Sequence, residues 1–353
     1  MSLQIIYGRA GSGKTSFVLN EIKSRLGQGM SDKHKPHNAL VLLVPEQFSF
    51  QAEKKLVSEV GTGGILEAEV LSFQRMAYRI FNELGGITYP HIHPSGKAMI
   101  IYRILDKMKG KFKVFLKTAQ KEGFVDTLST LITEFKRYGV TPQMLLDATD
   151  KIPNDKPLKE KLAELSIIYK EFDTTLDKRY RDSDDDLTMA AKKLVESSLY
   201  QDAEIWIDGF VNFTPQEYAM ISQLMVKAKR VTICLCADQL DSGRRILDTD
   251  VFAPVKNAYR RLIQIADENK ITIQEPVIMN NPPIRFQQSA ELAHLEKNYY
   301  SYPHEEYPTK TKDISLYSAM NIHSEIEAAA ADIRRLCRDH DMRYRDIAVV
   351  MRN

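Results

Sequence analysis

A glycine-rich stretch near the N-terminus, GRAGSGKTS at residues 8–16, has the composition of a phosphate-binding loop. Gly8, Gly13, Lys14 and Thr15 fit the pattern G-x-x-x-x-G-K-[ST], in which backbone N–H groups surround phosphates and the lysine reaches the β- and γ-phosphates. The apolar run LQII precedes the loop and a helical pattern follows it, as the motif requires. A tight turn that binds no ligand is the alternative. We predict a nucleotide-binding site formed by Gly8, Arg9, Ala10, Gly11, Ser12, Gly13, Lys14, Thr15 and Ser16.

Asp208 is the candidate metal partner of that loop. It lies in the apolar run EIWIDGF at residues 204–210, and with the Thr15 hydroxyl it would supply oxygen ligands for the Mg²⁺ of a bound nucleotide. The next residue is Gly209, although a hydrolase needs a base or a water-positioning group beside the metal carboxylate. The nearest glutamate, Glu217, lies in TPQE, which is typical of a helix capping box. The sequence therefore predicts ATP with Mg²⁺ as ligands, no assignable catalytic residue, and weak or no hydrolysis.

The elements that hold these residues alternate between strand and helix. Over the first 85 residues, the strand patterns LQIIY, ALVLLVP and AEVLSF are each followed by a helical pattern. From about 90 to 200 apolar residues recur at helical spacing without a good strand, and this block is too long for a connection. Strands return at AEIWIDGF, RVTICLCADQ and ITIQEPVIM, and a last β-α-β unit comprises DISLYSA, HSEIEAAAADIRRLCRDH and DIAVVMR. The pattern predicts an α/β fold, a doubly wound parallel sheet with a large all-helical insertion.

Composition and charge limit the class of protein. The 353 residues are 43% hydrophobic and 27% charged with a net charge of +2, so any nucleic-acid or membrane contact must be local. No apolar run is long enough to span a bilayer, no signal peptide pattern precedes the first strand, and three cysteines indicate a reducing compartment. We therefore expect a cytoplasmic protein, with Cys234 and Cys236 as buried thiols of one strand. The chain stops on the strand-like run YRDIAVVMRN, so we expect it to be part of a longer protein.

Five segments follow one another as GRAGSGKT, VLLVPEQFSFQAE, VLSFQRMAYRIF, DSDDDLTMAAKKL and IWIDGFVNFTPQEY. This order resembles UvrD-type superfamily 1 helicases and, more closely, the N-terminal part of the AddB family, the B subunits of AddAB helicase-nucleases. The loop alone is generic, whereas VPEQFSFQAE with IDGFVNFTPQE is specific, and the resemblance covers essentially the whole chain. It implies a RecA-like motor domain 1A over residues 1–88 and 201–285. A 1B-like helical insertion would cover 89–200, and a linker with the start of a second RecA-like domain, 2A, would cover 286–353.

The resemblance also implies a function. AddB-type subunits act with an AddA-type helicase-nuclease subunit, which supplies the active motor, on double-strand breaks during recombinational repair. They handle single-stranded and duplex-end DNA and take part in recognising the recombination hotspot. The nuclease domain and the iron-sulfur cluster of the family lie near the C-terminus of the subunit, so we expect both beyond Asn353. A membrane partner is not expected.

Candidate DNA contacts follow from the same resemblance. The segment LSFQR occupies the place of a T-F-H type motif that touches single-stranded DNA; Ser72 and Phe73 match it, and a glutamine replaces the histidine. The neighbouring DNA-contacting motif would comprise Gln47, Phe48 and Ser49. A helix N-cap role for Ser72 and a core position for Phe73 are the alternatives.

A lysine-rich segment, KMKGKFKVFLKTAQK at residues 107–121, carries six lysines and no acid. Lys111 and Lys113 are candidate contacts to a DNA backbone, with the interleaved aromatic rings as candidate platforms for bases. A solvated loop with Phe112 and Phe115 in the core is the alternative.

Two other polar segments predict no metal site. PHIHP at 90–94 offers two histidines without an identifiable third ligand. DSDDD at 182–186 lacks the glycine and the distal glutamate of a calcium loop, so we expect it to cap a helix N-terminus.

Three functions remain open on the sequence. The first is an ATP-binding, helicase-like region of a DNA-processing subunit. The second is a small-molecule kinase, for which a P-loop and a helical lid would suffice. The third is a non-catalytic DNA-binding scaffold with a vestigial P-loop, which the Asp208–Gly209 pair favours.

Overall fold

The computed structural model of the chain comprises two compact units, Met1–Arg285 and Phe286–Asn353. Within the described residues, no helix is both long enough and apolar enough to cross a membrane. The structure describes residues 1–29, 39–60, 68–87, 89–115, 118, 121, 123–152, 156–176, 180–240, 243, 245–247, 249–279 and 283–351.

A parallel sheet forms the centre of the first unit. In the described part of the chain its strands are β1 (Ser2–Gly8), β2 (Leu40–Leu43), β3 (Ala68–Leu71), β4 (Glu204–Ile207), β5 (Arg230–Cys236), β6 (Thr272–Ile273) and β7 (Val277–Ile278). Their order is β3-β2-β4-β5-β1-β6, and β7 also pairs with β1. Every pairing is parallel, which confirms the predicted α/β fold. The carboxyl ends of the strands therefore meet at one edge of the sheet.

Helices accompany the sheet on both faces. The described helices are α1 (Lys14–Gly29), α2 (Ser49–Val60), α3 (Phe73–Leu84), α4 (Pro94–Lys107), α5 (Phe124–Arg137), α6 (Pro142–Asp150), α7 (Lys156–Leu176), α8 (Asp186–Leu194), α9 (Pro215–Lys227), α10 (Ala253–Glu268), α11 (Ala290–Asn298) and α12 (Ile322–Asp339). Side chains of α1 and α2 share a core with Ile6, Leu42 and Trp206, whereas α3, α8, α9 and α10 pack on the opposite face around Ile5 and Ile233. Both faces are covered, which explains why the strands are nearly continuous apolar runs.

The helices between β3 and β4 have a core of their own. Buried side chains of α4, α5, α6 and α7, among them Ile101, Leu128 and Phe172, form one cluster. Their apolar residues recur at the spacing of one helix face, which is why the sequence pattern indicates helices throughout this stretch. The last helix of the stretch, α8, packs instead with the core of the sheet through Ala190 and Leu194.

Several elements differ from the sequence prediction. The segment ITIQEPVIM forms two short strands: β6 pairs with Ser2–Leu3 and β7 with Ile6–Tyr7. Pro276 lies between them and has no N–H to donate, so one continuous ladder is interrupted. Three helices, α6, α10 and α11, lie where the sequence analysis assigns none.

The second unit contains α11 and α12, and only the helix of the expected β-α-β unit is formed. Helix α12 confirms the prediction for HSEIEAAAADIRRLCRDH. The predictions for DISLYSA and DIAVVMR are wrong for the described residues, which form no strand there. A strand needs a neighbour for its N–H and C=O groups, and Leu316 and Val350 are instead 99% and 92% exposed.

Candidate functional site

The glycine-rich loop connects the end of β1 to the first turn of α1. Gly11 and Gly13 have φ angles of +81° and +95°, which side chains with a Cβ rarely adopt. At Gly8 an added Cβ would lie 2.8 Å from the Cβ of Met279 and 2.8 Å from Ser12 Oγ. The backbone of the loop therefore depends on these glycines, and its N–H groups open at the N-terminus of α1, where an anion is favoured.

Lys14 is the first residue of α1, and its side chain folds back over the loop. Its Nζ donates to the carbonyl oxygens of Gly8 and Arg9 at 2.7 and 3.0 Å. The ammonium group is thus held at the mouth of the loop by carbonyls that a phosphate oxygen could replace as acceptors. Thr15 and Ser16 follow in the same turn and are exposed.

Asp208 lies next to the loop although 193 residues separate it from Thr15. It follows β4, and β5 lies between β4 and β1 in the sheet. The Thr15 hydroxyl donates to Asp208 Oδ2 at 2.6 Å. A hydroxyl and a carboxylate suit Mg²⁺, a hard cation that takes oxygen ligands. Among the described residues no three His, Cys, Asp or Glu side chains converge as a ready metal cluster.

Cys234 on β5 lies beside this carboxylate. Burial, together with the negative charge of Asp208, raises the pKa of the Cys234 thiol well above its ordinary value. The thiol is therefore neutral at physiological pH and acts as a small buried group. Its expected burial is confirmed, whereas Cys236 is only half-buried.

Arg285 is a neighbour of the loop that the sequence analysis does not identify. Its N–H donates to the carbonyl of Gly11 at 3.1 Å, and a Cβ added at Gly11 would lie 2.7 Å from the Cβ of Arg285. The Arg285 side chain is exposed. An exposed guanidinium side chain at a glycine-rich loop is suited to a phosphate group.

Glu217 forms the predicted capping box at the start of α9. Its carboxylate accepts the N–H of Thr214 at 2.7 Å, and Thr214 Oγ1 accepts the N–H of Glu217 at 3.3 Å. This arrangement satisfies backbone donors of the first turn.

The candidate DNA contacts after β2 and β3 differ in accessibility. Gln47 and Phe48 are exposed in a short 3₁₀ helix, whereas Ser49 is buried. Ser72 is the N-cap of α3, where its hydroxyl accepts the N–H of Arg75 at 3.2 Å and donates to the Glu46 carboxylate.

Phe73 is 4% exposed, with ring centroids of Phe210 and Phe213 at 5.5 and 6.4 Å. The structure thus gives Ser72 a capping role and Phe73 a core position. A cleft of about 320 Å³ beside them is lined by acidic side chains, including Glu46 and Glu217, and by one arginine, so its charges disfavour a phosphate backbone.

Lys111 and Lys113 are exposed, whereas Phe112 and Phe115 are 4% and 6% exposed and belong to the core of the helical stretch. The aromatic rings of this segment are therefore not available to stack on bases.

The acidic segment 182–186 does more than cap a helix. Asp182 accepts the N–H of Asp184 at 3.1 Å at the start of a 3₁₀ turn that leads into α8. The same segment pairs with basic side chains of α4 and α5, with Lys97 Nζ at 2.5 Å from Asp182 and Lys136 Nζ at 2.5 Å from Asp185. The segment therefore joins several helices through buried ion pairs.

Gln216 on α9 adds an uncharged link between this segment and the body of the sheet. Its Nε2 donates to the carbonyl of Asp184 at 2.7 Å and lies 3.0 Å from the carbonyl of Lys136. His91 of PHIHP pairs with Asp186 at 2.8 Å, so that histidine has a structural partner.

The family model described as "ADDB, N-terminal" matches residues 5–296. This chain belongs to the AddB N-terminal family. Three relatives, each named as the B subunit of an ATP-dependent helicase/deoxyribonuclease, support the same assignment. The protein of Acetivibrio thermocellus is 60% identical over 354 residues, covering 100% of this chain. That of Clostridium botulinum strain Hall is 48% identical over 351 residues, covering 99% of this chain. That of Caldanaerobacter subterraneus subsp. tengcongensis is 46% identical over 355 residues, covering 100% of this chain.

The AddB-type chain spans about 30% of the length of each of these relatives. Their shared name describes one component of an enzyme that has at least one other component. The resemblance to the AddB family, drawn from five segments of the sequence, is confirmed.

Proposed function

We propose that this chain binds ATP with Mg²⁺ and serves as the helicase-like, RecA-type N-terminal region of a DNA-processing AddB protein. The observation that carries the proposal is the 2.6 Å hydrogen bond between Thr15 and Asp208 beside the loop that holds Lys14. Loop glycines, a lysine, a hydroxyl and a carboxylate from a distant strand are the groups that a magnesium nucleotide requires. The exposed Arg285 would add a further positive charge for the phosphates.

In the whole protein, we propose that this region works with an AddA-type helicase-nuclease partner on single-stranded DNA and duplex ends in the cytoplasm during recombinational repair. Hotspot recognition, nuclease activity and an iron-sulfur cluster would belong to the complete complex. Gln47 and Phe48 are the proposed contacts to single-stranded DNA after β2, because their side chains are exposed.

Weak or absent hydrolysis is part of the proposal. Glu217 is engaged in the capping box, and Gly209 offers no side chain as a base. A DNA-binding scaffold without nucleotide binding is the second candidate, and the glycine after Asp208 is the observation that favours it.

An equilibrium titration with fluorescent Mg-ATP tests the nucleotide site. Lys14→Ala removes a charge-assisted contact worth about 1.5–3 kcal/mol, which corresponds to about 10- to 100-fold weaker binding. Lys23→Ala, an exposed lysine farther along α1, is the matched control and should bind as the unsubstituted chain does. Asp208→Asn should leave binding without Mg²⁺ little changed while removing most of the gain that Mg²⁺ provides. Equal affinity of the unsubstituted chain and Lys14→Ala, or no binding by either, would favour the scaffold.

A further inference from the structure

A buried carboxylate shapes the lysine-rich segment between α4 and α5. Three successive backbone N–H groups donate to Glu164 of α7: those of Lys113 and Val114 to Oε1 at 2.6 and 2.9 Å, and that of Phe115 to Oε2 at 3.0 Å. Glu164 is 6% exposed. An ionised carboxylate only accepts hydrogen bonds, so it satisfies all three donors at once, and such charge-assisted bonds are strong.

Two phenylalanines anchor the same segment, which we call the lysine loop (residues 109–115). Phe112 and Phe115 are buried in the core formed with α7, and Phe115 also contacts Phe124 with ring centroids 5.3 Å apart. The backbone of the lysine loop is therefore held at both its apolar side chains and its N–H groups. Its charged side chains can point only to solvent.

Four lysines share the outer surface of this arrangement. Lys109, Lys111 and Lys113 of the lysine loop are exposed, and so is Lys161, three residues before Glu164 on α7. Residues three apart are neighbours on a helix, so Lys161 lies beside the carboxylate that holds the loop. Throughout the described residues, none of these four ammonium groups pairs with a carboxylate. Like charges brought together in a fixed loop cost free energy unless an anion binds them.

The chemistry of the surface selects the anion. Four lysines without an exposed aromatic ring can neutralise phosphates, but they cannot stack on bases. Duplex DNA carries one phosphate charge for about every 1.7 Å of its axis, a higher density than a single strand offers. We infer that the lysine loop binds the backbone of double-stranded DNA irrespective of its sequence, with Glu164 as the positioning residue. The inference rests on the proposed function, because it gives that DNA-processing region a duplex contact.

Fluorescence anisotropy with a labelled duplex of arbitrary sequence tests the surface. The triple variant Lys109→Ala, Lys111→Ala, Lys113→Ala is compared with a charge-matched triple variant, Lys23→Ala, Lys151→Ala, Lys297→Ala, at exposed sites elsewhere. Each lost phosphate contact lowers the slope of log affinity against log salt by about 0.9. The fall in affinity between about 50 and 200 mM salt should therefore be about 40-fold smaller for the first variant than for the unsubstituted chain. The control variant should lose less than half of that slope change.

Glu164→Gln separates positioning from charge. The substitution makes the chain more positive, so electrostatics alone would raise its affinity for DNA. If Glu164 positions the loop, affinity falls several-fold while the salt slope stays unchanged, because the same lysines still meet the phosphates after an ordering cost. Circular dichroism and Mg-ATP affinity establish whether the variant is folded. If it does not fold, the exposed lysine substitutions still test the surface.

Several results would overturn the inference. No measurable duplex binding, equal salt slopes for both triple variants, or unchanged or higher affinity of Glu164→Gln each contradicts it. Displacement by a single strand at lower concentration than by duplex would assign the surface to single-stranded DNA. Displacement by polyglutamate at equal charge concentration would assign it to an acidic protein surface. The Mg-ATP titration with Lys14→Ala judges the proposed nucleotide site independently of all these outcomes.

Discussion

Lys136→Met should destabilise the first unit by about 3 kcal/mol. Lys136 Nζ lies 2.5 Å from Asp185, 3.1 Å from Asp173 and 3.3 Å from Asp182, and its side chain is 3% exposed. These three carboxylates raise the pKa of the ammonium group in spite of its burial, so it is charged. Methionine preserves much of the apolar stem, so the substitution removes mainly the charge.

The magnitude follows from how far each carboxylate can reach water. Removing one partner of a buried ion pair costs about 3–5 kcal/mol. Asp173 and Asp185 are 34% and 41% exposed and can turn to solvent, whereas Asp182 is 1% exposed but keeps Lys97 at 2.5 Å. The expected cost therefore lies at the low end of the range.

Equilibrium unfolding in urea, followed by circular dichroism, measures this cost. With a slope of about 1–3 kcal/mol per molar urea, the midpoint should fall by about 1 M or more. Lys192→Met, at an exposed lysine of α8, is the control and should change stability by less than about 0.5 kcal/mol. A loss below about 1 kcal/mol for Lys136→Met would refute the reasoning, because it is the value of a solvated surface pair.

The deficit should also depend on pH. Burial raises the pKa of Asp185 to about 6, although Lys136 opposes the shift, and the pKa of an unfolded aspartate is about 3.9. The contribution of this group is therefore present below about pH 4 and lost as the pH rises through about 6. Without Lys136 the folded-state pKa rises further, so the variant should lose more stability between pH 5 and 7. A deficit that is equal at both pH values would contradict this account.

Two further predictions concern the nucleotide site. Gly11→Ala should weaken Mg-ATP binding about tenfold, because the left-handed backbone costs a non-glycine residue about 1–2 kcal/mol and the new Cβ would lie 2.7 Å from that of Arg285. Gly27→Ala is the control, since no atom lies within 4 Å of its added Cβ; equal loss in both variants would contradict the argument. Because burial raises the pKa of Cys234, a maleimide should modify the half-buried Cys337 but not Cys234 until urea unfolds the chain. Mass spectrometry reads the modified peptides, and equal rates for the two thiols in the folded protein would refute this prediction.

Local patterns account for what the sequence predicts well. A P-loop is a contiguous motif, and its strand and helix are its immediate neighbours, so their positions follow from a few residues. The meeting of Asp208 with Thr15 also follows, because parallel strands carry their carboxyl ends to the same edge. Phe112 and Phe115 illustrate the limit: spacing alone leaves open whether a ring stacks on a ligand or fills the core, and the packing of α7 decides it.

The residues that the sequence analysis misses act across long separations. Glu164 serves backbone donors 49 to 51 residues away, and its position in α7 resembles that of any charged helix residue. Arg285 follows a proline-dotted stretch and meets Gly11 only because β6 and β7 carry the chain back along β1. The failed C-terminal strands show the converse case, in which apolar residues favour a strand but no neighbouring strand in the described part of the chain completes the ladder.

Gly209 links the backbone of the site to its proposed chemistry. Its φ angle is +86°, and an added Cβ would lie 3.3 Å from Cδ of Pro45 at the end of β2. A glutamate at this position would carry a cost of about 1–2 kcal/mol for its left-handed backbone and would press on the segment that leads to Gln47. The turn after Asp208 is thus built for glycine, and it does not offer a place from which a glutamate has simply been lost. With Glu217 held in its capping box, both nearby positions for a base are committed to backbone geometry. Lys14, Thr15 and Asp208 remain arranged for phosphates and a metal ion, and this division supports nucleotide binding without efficient hydrolysis.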